Sequence, residues 1–299
     1  MRFDGILFFP VTPFDRSGAI DHDLLGAHVS DGVAHGAGGV FPACGTGEFH
    51  ALSTGEVAAV VRTAVAAVSG AVPVVAGSGG PLGHAIETAR SASDAGADAL
   101  LVLPPYLVGS PQAGLVAYVE AVAAASDLPV VVYHRANAQF TAESMRRLAA
   151  NPKVVGFKDG AGDIGTTQLI VRAVADTGRT DFAFFNGLLT AELTQAAYRG
   201  IGVPLYSSAA FAMIPDVADA YYRAYVDGDE TRRVALLDAF YTPLVALRDE
   251  TPGFGVSLIK AGLRLSGRAV GGVRAPLVDP TPDQERRLAE ILDAGRALL

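Results

Sequence analysis

Lys158, Tyr133 and the turn Cys44-Gly45-Thr46-Gly47-Glu48 are the residues of this chain whose types could do covalent chemistry together. Lys158 closes the apolar, β-branched run Val154-Val155-Gly156-Phe157 and precedes a glycine-rich loop, Asp159-Gly160-Ala161-Gly162-Asp163. A lysine is seldom buried without a partner. One held at the inner end of a strand is either half of an ion pair or an amine that sheds its proton and forms a Schiff base with a ketone. A phenol beside that amine can relay protons, and backbone NH groups with a threonine hydroxyl can hold a carboxylate. Together they suit an α-keto acid.

Such a set needs a scaffold that delivers side chains from separate strands to one rim. Eight short apolar runs recur along the chain: Ile6–Val11, Gly39–Ala43, Val72–Ala76, Ala99–Leu103, Pro129–Tyr133, Val154–Lys158, Phe182–Phe185 and Gly202–Tyr206. Between them lie segments with helix signals. Ser53-x-x-Glu56 is a capping box, Ser110-Pro111 places a cap before a first-turn proline, and Thr141 can cap the next helix. Gly36-Ala37-Gly38, Gly96-Ala97-Asp98 and Gly200-Ile201-Gly202 each read as a helix stop followed by a strand. This alternation predicts an α/β fold, a (β/α)8 TIM barrel over residues 1–208. Helices expected over Asp216–Val226, Glu230–Leu247, Phe254–Leu265 and Gln284–Leu298, the last capped at Thr281-Pro282, make 209–299 a C-terminal helical region packed on the barrel as part of one structural unit. The first strand lacks a dinucleotide-binding glycine loop, and Gly77-Ser78-Gly79-Gly80 reads as a backbone turn.

In such a barrel the chemistry lies at the C-terminal strand ends. Those ends offer Thr12, the Gly45-Thr46 turn, Tyr106, Tyr133 to Asn137, Lys158, Asn186-Gly187 and Tyr206-Ser207-Ser208. They hold no convergent metal-ligand cluster and no Ser-His-Asp set, so neither a metal nor a cofactor is expected. Among 299 residues, 23 Lys and Arg face 31 Asp and Glu, for a net charge of −8. That balance argues against nucleic acid and leaves room for a small anionic substrate. The single cysteine, Cys44, excludes an internal disulfide framework and fits a reducing, cytoplasmic setting. The Met1–Gly5 lead into Ile6–Pro10 reads as a strand rather than a signal peptide, and the Ala-rich stretch at Val57–Val68 is too short for a membrane span.

Gly45-Thr46-Gly47-Glu48, Val132-Tyr133 and Gly156-Phe157-Lys158-Asp159, with Pro10-Val11-Thr12-Pro13 and Pro104-Pro105-Tyr106, resemble the Schiff-base lyases of the dihydrodipicolinate synthase/N-acetylneuraminate lyase superfamily. The resemblance runs nearly end to end. It implies a (β/α)8 barrel with C-terminal helices, usually a homotetramer built as a dimer of dimers. It implies Lys158 as the Schiff-base lysine, Tyr133 as the proton-transfer tyrosine, and Gly45 and Thr46 as the carboxylate clamp. The synthase branch has two successive threonines where this chain has Gly45-Thr46, a second tyrosine where Leu107 stands, and an arginine near Ala138. The motifs here are similar instead to those of the 5-dehydro-4-deoxyglucarate dehydratases: Cys44-Gly45-Thr46-Gly47-Glu48-Phe49, Tyr133-His134-Arg135-Ala136-Asn137-Ala138, Phe157-Lys158-Asp159-Gly160, Pro204-Leu205-Tyr206-Ser207-Ser208 and Val273-Arg274-Ala275-Pro276-Leu277. That branch implies a cofactor-free decarboxylating dehydratase making 2,5-dioxopentanoate. The rival readings are an aldolase or synthase of the same superfamily and a non-catalytic keto-acid-binding paralogue.

Asn137, Ser207 and Ser208 are candidates to hold the distal carboxylate and hydroxyls, and equally to satisfy loop backbone. Gly187 joins the binding set at the end of strand seven. Arg135 supplies charge to the site or to a subunit contact, and Tyr106 is open in the same way. Glu48 reads as a structural acid, Cys44 as buried filler, and His134 as a core or supporting residue.

Overall fold

A computed structural model describes residues 3–299; Met1 and Arg2 of the leading segment lie outside the described residues. Eight parallel strands run in the order β2-β1-β8-β7-β6-β5-β4-β3. They are β1 (Ile6–Phe8), β2 (Ala37–Val40), β3 (Val75–Gly80), β4 (Ala99–Pro105), β5 (Val130–His134), β6 (Val154–Asp159), β7 (Ala183–Asn186) and β8 (Leu205–Ser208). A parallel bridge between Val40 and Val74 joins the two ends, so the sheet closes into a barrel. Seven helices alternate with the strands: α1 (His22–Ala34), α2 (Thr54–Val68), α3 (Leu82–Asp94), α4 (Gln112–Ala124), α5 (Ala142–Ala149), α6 (Ile164–Ala175) and α7 (Gln195–Gly200). After β8 come α8 (Ala210–Met213), α9 (Pro215–Asp227), α10 (Glu230–Leu236), α11 (Thr242–Arg248), α12 (Phe254–Leu265) and α13 (Pro282–Arg296). A π-helical turn, Leu237–Tyr241, joins α10 to α11, so the single helix expected there is one rod with a wider turn inside it.

The capping box at Ser53 and Glu56 forms, as does the Thr141 cap, and Thr281 with Gln284 makes a second box ahead of α13. Gly36 and Gly96 end their helices at φ +86°, a region closed to most side chains. Two local expectations are corrected. Pro111, not Ser110, occupies the cap of α4, with extended backbone and no side-chain capping bond. Gly77 to Gly80 is not a turn but the second half of β3, where Gly77 pairs with Leu101 and Ser78 with Val102. These small residues let the turn after β2, and β4, approach closely: a Cβ on Gly77 would lie 2.2 Å from the Ala43 carbonyl oxygen, and one on Gly79 2.5 Å from the Leu103 Cβ.

Side chains alternate across each strand. Leu7, Phe9, Val75, Leu101, Val131, Tyr133 and Phe185 form an interior cluster with Phe3, Phe41 and Cys44. Ile6, Phe8, Val130, Val132, Phe157 and Tyr206 belong to the larger outer core against the helices. This period of two decides which residue of each motif reaches the barrel mouth.

Candidate active site

β5 and β6 pair in register so that Tyr133 lies beside Lys158 and His134 beside Asp159. The first pair faces inward and the second outward. Lys158 is 4 % exposed. Its amine stands over the ring of Phe9, 3.9 Å from the centroid, and 4.4 Å from the centroid of Tyr133. Among the described residues it has no carboxylate partner. The other deeply buried lysine, Lys260, is paired with Glu48 at 2.6 Å. Burial, with a smaller contribution from the nearby Arg135 guanidinium, lowers the Lys158 amine to about 7. The two buried lysines thus differ: Lys260 sits in an ion pair with Glu48, and Lys158 has no acidic partner among the described residues.

Space for the lysine is made by glycine. A Cβ on Gly187 would sit 2.1 Å from the Lys158 Cε, and one on Gly160 would sit 2.7 Å from the Tyr133 ring. The Tyr133 hydroxyl donates to the Gly187 carbonyl at 3.2 Å and accepts from the Arg135 Nη1 at 2.8 Å. Burial raises the pKa of Tyr133, against the pull of the Arg135 charge. The phenol therefore holds its proton at neutral pH and has one acceptor and one donor to exchange it with.

A cavity of about 680 Å3 opens above Lys158. Its lining includes Phe9, Gly45, Thr46, Tyr133, Arg135, Lys158, Gly187 and Ser207. Thr12 fixes the Gly45-Thr46 turn from below by donating to the Gly47 carbonyl at 2.7 Å. Seven of the nine residues singled out for chemistry or binding thus meet at one cavity. Asn137 and Ser208 do not line it. The Asn137 amide donates to the carbonyls of Pro105 at 3.0 Å and Val108 at 2.9 Å, tying two rim loops together. Ser208 points outward from β8, one residue on from Ser207; it donates to Glu192 and accepts from the Phe211 NH.

The supporting residues also have clear places. Glu48 is buried on Lys260 and accepts the Arg274 backbone NH at 2.8 Å, the structural acid expected. The Cys44 thiol lies in the barrel interior, where burial pushes it up to about 12, so it stays a neutral filler. His134 accepts the Phe140 NH at 2.9 Å from the helix side of β5. Tyr106 is 61 % exposed on the outer surface. Among the described residues no three His, Cys, Asp or Glu groups could hold a metal ion, and no helix is long and apolar enough to cross a membrane.

The cavity also contains residues absent from the sequence inventory. Phe9 carried a readable signal, since it shares the inward parity of Leu7. The β7–α7 loop adds Thr190, the end of α11 adds Arg248 with Asp249 just beyond it, the start of α12 adds Phe254, and the stretch before α13 adds Leu277. Leu277 sits in a motif already noted, but nothing local marks Arg248 or Asp249.

A closed eight-stranded barrel with a buried amine at its mouth defines an α/β-barrel enzyme acting on small molecules. Residues 2–295 match the model of the dihydrodipicolinate synthetase family, and the chain belongs to that family. It is 53 % identical, over 99 % of its length and 92 % of the relative's, to a probable 5-dehydro-4-deoxyglucarate dehydratase of Streptomyces griseus. Among solved structures, dihydrodipicolinate synthase from Oceanobacillus iheyensis superposes with a TM-score of 0.90 at 28 % identity, covering 99 % of this chain and 97 % of that one. A prophage protein of the same family from E. coli K12, in complex with pyruvate, superposes with a TM-score of 0.86 at 25 % identity, covering 98 % of each chain.

Proposed function

We propose that this protein is a decarboxylating dehydratase that converts 5-dehydro-4-deoxy-D-glucarate to 2,5-dioxopentanoate, water and CO2 through a Schiff base on Lys158. The observation that carries the reading is the unpaired, buried amine of Lys158 beside the Tyr133 phenol, in a cavity that also presents the Gly45-Thr46 turn. The 53 % identical relative bears the name of this activity, and the E. coli family member is in complex with pyruvate, itself a 2-keto acid; both support the reading.

In the reaction, the neutral Lys158 amine attacks the ketone carbon, and loss of water gives an iminium. Gly45 and Thr46 hold the adjacent carboxylate and set the angle of attack. The iminium acidifies the neighbouring CH2, whose proton is removed to give an enamine. The enamine electrons expel hydroxide from the next carbon, and that hydroxide leaves as water after protonation. The resulting conjugated iminium accepts the electrons of the bond to the distal carboxylate, which departs as CO2. Reprotonation and hydrolysis release the product and return the amine. One nitrogen takes up the electrons of the C–H bond, returns them to expel hydroxide, and takes up those of the C–C bond as CO2 leaves. Tyr133 moves protons, directly or through water, with Arg135 stabilising its ionised form and Gly187 accepting from its neutral form. Ser207 lines the cavity, which supports it as the candidate to contact the substrate hydroxyls.

The test is incubation with the keto acid and borohydride, followed by mass analysis of the protein and of the product. The reading requires an adduct lost in Lys158→Ala, and 2,5-dioxopentanoate with CO2 from 5-dehydro-4-deoxyglucarate. A pyruvate fragment would make the enzyme an aldolase, and absence of an adduct would make it a binding protein. The buried lone cysteine supports a reducing, cytoplasmic setting. The exposed run Tyr106, Leu107 and Val108 supports contacts between copies in a homotetramer, which the mass in solution tests.

A further inference from the structure

The cavity lining carries three Lys or Arg side chains, Lys158, Arg135 and Arg248, against one carboxylate, Asp249. The substrate proposed above carries two carboxylates. The one next to the ketone belongs to the Gly45-Thr46 turn, because its position is fixed by the carbon that Lys158 attacks. Arg135 donates from Nη1 to the hydroxyl of Tyr133, the strand neighbour of Lys158, so its charge stands at the reacting end of the cavity. Arg248 is the remaining cation. We infer that Arg248 receives the distal carboxylate and so selects a dicarboxylic keto acid over a monocarboxylic one; this rests on the Schiff-base reading of the same site.

Arg248 is the last residue of α11, and its side chain is 15 % exposed. Its Nη1 donates to the Thr190 hydroxyl at 2.8 Å, and its Nε donates to Asp249 Oδ1 at 2.8 Å. Both partners line the cavity. Among the described residues, Nη2 has no hydrogen-bond partner, so one edge of the guanidinium is free to take a ligand oxygen. Thr190 holds its position at φ +54°, a strained conformation for a β-branched residue. The Arg248–Thr190 contact joins the C-terminal helices to the loop just after Gly187, so the cation is fixed relative to the lysine by a bond between distant segments.

The chemistry explains why this arginine is shared with an acid. The distal carboxylate must leave as neutral CO2, and an unshared cation would hold the anion and oppose that step. Asp249 takes part of the Arg248 charge. The guanidinium can then orient the carboxylate, with its C–C bond aligned to the conjugated iminium, without retaining it.

The test uses borohydride trapping with two dead-end keto acids of equal length: 2-oxohexanedioate, which has the distal carboxylate, and 2-oxohexanoate, which lacks it. Wild-type protein is expected to trap the diacid at the lower half-saturating concentration. Arg248→Met should raise the diacid value by about ten- to a hundredfold, the cost of one charge-assisted hydrogen bond, and leave the monoacid value in place. That monoacid value also reports an intact site. Arg248→Lys should recover part of the preference. On the natural substrate, Arg248→Met should raise KM more than it lowers kcat. A full preference for the diacid in Arg248→Met would overturn the inference while leaving the Schiff base standing. A wild-type protein that traps neither acid would overturn the functional reading, and this inference with it.

Discussion

At the scale of single residues, the reactive form of Lys158 is set by what surrounds it. An amine lowered to about 7 is nucleophilic at physiological pH, whereas one at its ordinary value would be protonated almost entirely. Only the neutral amine attacks, so kcat/KM should rise by about tenfold per pH unit below about 7 and level off above it. Arg135→Met removes a cation that lowers the lysine, so the break in that profile should move to higher pH. A break that stays in place would mean that Arg135 acts on Tyr133 alone. The same amine weakens the fold. Its folded pKa lies below its unfolded one, so between about 7 and the ordinary lysine value the unfolded chain binds more protons, and stability rises with pH across that window. Lys158→Met should therefore raise the melting temperature at neutral pH while lowering turnover by roughly three orders of magnitude or more. A melting temperature that falls would show that the amine has a stabilising partner.

At the scale of elements, the period of two in each strand sorts neighbours into opposite roles. Ser207 enters the cavity and Ser208 enters the helix layer; Lys158 faces the mouth, and Asp159 binds Thr167 and Tyr198 behind it. The outward face of β8 carries an unusual load. Glu192 is fully buried there, takes a bond from Ser208, and lies among Tyr206, Tyr221 and Tyr241 with no basic partner among the described residues. Burial pushes its carboxyl up to about 7. The folded protein then binds a proton that the unfolded chain has already lost, so stability should fall as pH rises from the ordinary glutamate value to about 7. Glu192→Gln should flatten this slope, which thermal melts across pH 4.5 to 7.5 would reveal; an unchanged slope would place the titrating group elsewhere. The eight strands were legible because buried β-branched runs and capping boxes are local patterns. Which of two adjacent serines faces the cavity was also legible in principle, since the inward parity of β8 follows from its outward Tyr206. The glycines of β3 misled because a turn and a close backbone approach ask for the same residue.

At the scale of the whole molecule, long contacts hold the chemistry in place, and no local pattern encodes them. The Arg274 NH binds Glu48 across 226 residues, and Arg248 reaches Thr190 across 58. Glu48 itself was readable as structural, but its partner Lys260 was not, because α12 looks like an ordinary amphipathic helix with one lysine in it. The Glu48–Lys260 pair ties the Gly45-Thr46 turn to the C-terminal helices. Lys260 also donates to the Gly272 carbonyl at 2.7 Å, and its amine stands 4.0 Å from the centroid of Phe14. Both members are fully buried, so removing one strands the other as an uncompensated charge, at a cost of about 3–5 kcal/mol. Lys260→Met should lower the denaturant midpoint accordingly and, by releasing the Gly45-Thr46 turn, raise KM for the keto acid. The double variant Glu48→Gln with Lys260→Met leaves no buried charge and should regain most of the stability. Because the pair bridges barrel and helices, unfolding should remain one cooperative transition in the wild type. Two separate transitions, or a double variant no more stable than Lys260→Met, would mean that the C-terminal helices are held on the barrel by apolar packing and that the pair serves the turn alone.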